Sequence, residues 1–160
     1  MNTIISSAAS GLFIVFMVST NNLLKDEQKI AQTQLLMNYN VHVLCNGILA
    51  GLVSVTAACA RIELWAAAII GVLGGMIFYT SREVFIRLEI DDPLEITEIH
   101  AICGVWSLAA VGIFDLKTGW LYTGKPEQML IQLLASASYI VWSGLLSFVF
   151  FYSLKQNRKL

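Results

Sequence analysis

Five long apolar runs restrict what this chain can become more than any other feature. They occupy residues 3–24, 35–60, 64–86, 96–114 and 129–152. Crossing the roughly 30 Å hydrocarbon core of a bilayer takes about 20 apolar residues in an α-helix. In lipid a backbone must satisfy its own hydrogen bonds, so each run is expected to be a helix. Charged residues make up 13% of the chain, against roughly a quarter in ordinary soluble domains. The expectation is therefore an all-α integral membrane protein of about five transmembrane helices, with residues 1–160 forming a single membrane domain.

The first run reads as a span and not as a signal peptide. No basic segment precedes it, and polar Ser19-Thr20-Asn21-Asn22 follow it. Residues 25–34 form a polar linker without Gly or Pro, expected as a solvated helical extension. Arg61-Ile62-Glu63 is so short that the second and third spans must pack antiparallel. Residues 115–126 form the longest loop, with Gly119 and Gly124 for turns and Trp120 and Tyr122 as candidate interfacial anchors. Gly47 and Gly51 are four apart, as are Gly71 and Gly75, a spacing that lets helices approach closely in lipid. Cys45, Cys59 and Cys103 all fall within spans and are expected as reduced thiols.

Five crossings place Lys25, Lys29, Arg82, Arg87, Lys155, Arg158 and Lys159 on one side and Arg61, Lys117 and Lys125 on the other. The positive-inside rule then puts the C-terminus on the cytosolic or matrix-like side. Ionisable residues inside spans are costly and mark functional sites by default. His100 is such a residue, and Glu98 is another. Two positions apart on a helix, they lie about 200° around from each other and cannot pair directly. His42 and His100 fall at similar depth, compatible with bis-histidine haem ligation. The plainer reading of His42 is a hydrogen-bonding side chain near the interface, beside Asn38 and Asn40. No nucleophile–base pair, metal-ligand cluster or phosphate loop is visible, so neither an enzyme nor a cofactor is expected, and nucleic acid is not an expected partner.

Several segments carry a specific likeness. Asp91-Asp92-Pro93, followed by His100-Ala101-Ile102-Cys103-Gly104, resembles the turn and pore-histidine helix of the ammonium transporter (Amt/Rh) family, typically H-G-V-C-G. Asn46-Gly47-Ile48-Leu49-Ala50-Gly51-Leu52-Val53 is similar to that family's N-G-A-L-A-G-L-V helix, and Thr56-Ala57-Ala58-Cys59-Ala60 to its T-x-x-C-A ending. Val18-Ser19-Thr20-Asn21, Ile69-Ile70-Gly71-Val72 and Ile140-Val141-Trp142-Ser143-Gly144 follow in family order.

The resemblance implies half of an inverted-repeat fold: the family has about eleven helices, and this chain is similar to the final five. His100 is then a pore-histidine-like residue. Asn46, Gly47, Gly51, Asp91, Asp92, Pro93 and Gly104 are helix-packing motif residues. The first pore histidine, the external aromatic cup and most gating phenylalanines belong to the half without a counterpart here. Ala101, Ser107 and Glu98 depart from the family pattern. A chain of this kind alone cannot close a pore. The favoured expectation is a structural or accessory subunit of a larger membrane complex, with lipids and other membrane subunits as partners. The inner mitochondrial membrane is one such setting, though no residue points to it. The alternative is one half of a split ammonium/ammonia channel whose first half is another chain.

Overall fold

The computed structural model describes residues 1–24 and 33–157, with side chains for 1–20 and 41–156. Helix α1 spans Asn2–Leu24, α2 Thr33–Val55 and α3 Leu64–Arg87. A π-helical turn, Thr97–Ile102, runs directly into α4, Cys103–Phe114. A short α5, Trp120–Thr123, precedes the long α6, Glu127–Asn157. Four of these stretches are long and apolar enough to cross a membrane: Asn2–Thr20, Leu64–Arg87, Thr97–Phe114 and Glu127–Gln156. The second expected span appears among the described residues as the shorter apolar stretch Val41–Val55.

That span was expected to reach residue 60, and α2 stops at Val55. The cause is local bonding, which hydropathy does not register. The Thr56 hydroxyl donates to the Val53 carbonyl at 2.8 Å, and the Ala57 N–H donates to the Ser107 hydroxyl at 3.1 Å. Asn2 then donates its amide to the Cys59 and Ile62 carbonyls at 2.8 and 3.0 Å, tying the start of α1 to the α2–α3 turn. Residues 25–32 of the polar linker lie outside the described residues, as do the side chains of Asn38 and Asn40.

Helix α1 lies in a groove between α2 and α3, and the glycine pairs are what it fits. Ser6 donates to the Gly51 carbonyl at 2.7 Å and Ser10 to the Gly47 carbonyl at 2.5 Å. A Cβ on Gly71 would fall 2.7 Å from the Ser6 Cα, and one on Gly75 2.8 Å from the Ser10 hydroxyl. Gly74 serves the α2–α3 contact itself, since its missing Cβ makes room for Ser54. Helix α6 is held differently. Its start packs where Gly112 of α4 leaves no side chain in the way of Met129. Beyond that it is almost bare: 6% of its membrane-length stretch is buried.

Helix α3 ends in a left-handed residue that is not glycine. Glu89 has φ 55°, with the Ile90 N–H donating to Phe85 and the Glu89 N–H to Ile86. This is the hydrogen-bond pattern that glycine usually closes. Replacing Glu89 with Gly removes a left-handed penalty of about 1–2 kcal/mol while adding some unfolded-state entropy. Glu89→Gly is expected to raise stability by about 0.5–1 kcal/mol, read as a higher unfolding midpoint in detergent.

Candidate functional site

The segment leading into α4 is fixed by its acidic residues, each with a different task. Asp92 caps the π-turn: its carboxylate accepts the Thr97 N–H at 2.8 Å and the Ile96 N–H at 3.1 Å. The Thr97 N–H is the foremost reason its pKa is held below the ordinary carboxylate range. Asp91 and Pro93 are exposed.

Glu95 turns inward. Its backbone is left-handed at φ 56°, and its carboxylate takes the Arg82 guanidinium at 2.5 Å and the Asn46 amide at 2.8 Å. One buried carboxylate thus joins α2, α3 and the start of the fourth span. Asn46 also lies 3.5 Å from the exposed His42 ring.

Arg82 corrects the sequence reading. The positive-inside count places it among the cations outside the membrane, yet it is 5% exposed and paired inside the bundle with a Glu95 that is 7% exposed. A signal was available: Arg82 lies within an apolar run, and a charge there needs a partner. What the sequence did not reveal is that the partner is Glu95, brought in by an irregular turn.

The far end of α4 has its own clamp. The Asp115 carboxylate meets Arg61 at 2.7 and 2.8 Å and accepts the Thr118 hydroxyl, the Thr118 N–H and the Lys117 N–H. Burial works to raise the pKa of Asp115. The Thr118 and Arg61 contacts outweigh burial and hold it below the ordinary carboxylate value. A carboxylate depressed in the folded state stabilises fully above its unfolded value, and that stabilisation fades as pH falls through the folded value. Asp115→Asn is expected to cost about 1.5–3 kcal/mol at neutral pH, the worth of hydrogen bonds to a charged group. The gap to the parent should close below about pH 4. A pH series of unfolding midpoints checks both.

Between these clamps the fourth span has two unlike faces. Glu98 faces inward and is 2% exposed, and Ile99 beside it is buried. Ile96, Thr97, His100 and Ala101 face outward and are exposed. One turn past His100, a Cβ on Gly104 would meet nothing within 4 Å, so no described helix packs there. Of the motif residues, Gly47 and Gly51 receive α1, Asn46 joins the Glu95 clamp and Asp92 caps. His100 and Gly104 line an open face. Ser107, a departure from the expected pattern, serves the fold by capping the end of α2.

The Ammonium Transporter Family model matches residues 1–160. Ammonium transporter 3 of Dictyostelium discoideum is 39% identical over 127 residues, covering 72% of this chain and 30% of that protein. A putative ammonium transporter of Synechocystis sp. is 33% identical over 153 residues, covering 95% of this chain and again 30% of the relative. Crystal structures of Mep2 share the fold. That from Candida albicans has TM-score 0.77 at 20% identity and that from Saccharomyces cerevisiae 0.74 at 23%, covering 97% and 96% of this chain. The chain spans about a third of the length of these proteins: 33% and 36% of the two Mep2 chains. With the match running from the first residue to the last, the chain belongs to the ammonium transporter family.

Proposed function

We propose that this chain supplies the His100-bearing wall of an ammonium/ammonia pathway and conducts only when the remainder of a family-length fold is present. The remainder could lie in the same polypeptide or in a separate subunit. One observation carries the reading: His100 stands on an exposed face with empty space beside Gly104, while one end of the same span is clamped to α2 and α3 and the other to the α2–α3 turn. An open face on a fixed helix suits a half-wall awaiting its complement. Pore width and lining groups set selectivity in such pathways, and half a wall sets neither. The basic residues outside the bundle favour a cytosolic or matrix-like C-terminus.

A second reading, a structural subunit without transport, is supported by Ser107 and Arg82, which hold the bundle together without involving His100. Gentle-detergent purification of the tagged chain, with mass spectrometry of what co-migrates, separates the two. A partner resembling the first part of an ammonium transporter supports the pathway reading. Proteoliposomes holding both parts should then pass ammonia, and His100→Ala should cut that flux by tenfold or more. Flux equal in parent and His100→Ala, or a complex without such a partner, supports the structural reading.

A further inference from the structure

Two residues from His100, on the opposite face, Glu98 has no evident role in the clamps or in the open wall. It is 2% exposed, and its Oε2 is buried without a hydrogen-bond partner among the described residues. The elements packed against this turn are α2, α3 and α4. From α3, Arg82 lies 2.5 Å from Glu95 and 3.5 Å from Glu83, and Arg87 is exposed. From α2, His42 is exposed, with its ring 3.5 Å from the Asn46 amide, and Cys45 is exposed. From α4, the Cys103 thiol is buried and directed at the Gly74 carbonyl at 3.7 Å. On its own segment the neighbouring titratable groups are Asp92 and Glu95, both acidic and both engaged. Among the described residues, therefore, no cation is shown on Glu98: His100 stands on the opposite face, and Asp92 and Glu95 carry the same sign as Glu98.

A carboxylate removed from water without a counter-charge is among the most costly groups a protein can bury, and taking up a proton removes that cost. We infer that Glu98 is a proton-binding site of this chain, occupied at neutral pH, on the face turned away from His100. The event is protonation of the carboxylate by a proton drawn from bulk water, and release returns the proton to water. No other reactant is needed. The π-helical turn contributes by geometry. It carries Glu98 inward and His100 outward, so the two groups titrate in separate surroundings. The inference does not depend on whether His100 lines a pathway.

The test is infrared spectroscopy of the full chain in lipid at neutral pH, comparing parent and Glu98→Gln. The parent is expected to show the carbonyl stretch of a protonated carboxylic acid, shifted in heavy water and absent from Glu98→Gln. A lipid-soluble carbodiimide provides the second readout. It takes the acid proton on nitrogen and the carboxylate oxygen on carbon, leaving an adduct on the Glu98 peptide that mass spectrometry locates. The unfolding midpoint of Glu98→Gln should match that of the parent, since a neutral acid is exchanged for a neutral amide. Only ionised-carboxylate bands at neutral pH, with no adduct at Glu98, would overturn the inference and mean that a counter-ion holds the group.

Discussion

Arg82→Met is expected to cost about 3–5 kcal/mol, because it strands the Glu95 carboxylate in a site closed to water. The guanidinium is 2.5 Å from that carboxylate, and both residues are almost fully buried. Single domains are stable by only about 5–15 kcal/mol, so the loss is a large share of the total. In a chain of this length it corresponds to a fall of roughly 6–20 °C in the unfolding midpoint. The double variant Arg82→Met/Glu95→Met removes both charges and should recover most of the loss. Recovery stays incomplete because the Asn46 amide then lacks the oxygen it reaches at 2.8 Å. A double variant as unstable as the single would mean that the carboxylate is not what makes Arg82 necessary.

Gly71→Val should be nearly as damaging, for a steric reason. The new Cβ would press on the Ser6 backbone, with Ser6 Cα at 2.7 Å and its carbonyl carbon at 2.8 Å. A side chain in the way can swing aside, but backbone can move only if all of α1 moves. Such a shift also breaks the Ser6 and Ser10 hydrogen bonds to α2. Overpacking of this kind costs about 1–3 kcal/mol, and each lost interhelical bond in lipid adds about 0.6. A total of about 2–4 kcal/mol is expected, measured by unfolding in mild detergent. Gly144→Val is the control, since a Cβ there meets nothing within 4 Å. Equal losses at both positions would show that the α1 groove is not what makes Gly71 necessary.

These two sites share a consequence for function. The Glu95 clamp holds the start of the fourth span, and the α1 groove packs the α2–α3 pair behind it, neither using that span's outward side. His100 can therefore stay on an unencumbered face while the bundle behind it remains packed. That is the arrangement a pathway wall needs from its supporting helices.

Composition and the apolar runs by themselves determined that the chain is helical and membrane-bound, and the motif order determined its family. These follow from solvation, which acts on each stretch separately and leaves its mark in hydropathy and length. The limit of that information appears at residues 56–60, apolar enough to continue α2 but unwound by hydroxyl and amide partners distant in sequence. The glycine spacing likewise announced close packing without naming α1 as the helix received. Arg82 showed the same gap: its place in an apolar run demanded a partner, and only the fold identified Glu95. Which side of the fourth span is open was also a tertiary decision. A helical period places Glu98 and His100 on opposite faces, but it cannot say which face meets protein. That choice was made by the Asp92 cap, the left-handed Glu95 and the Asp115 clamp acting together, because orientation about a helix axis is fixed by contacts between segments and by no single segment alone.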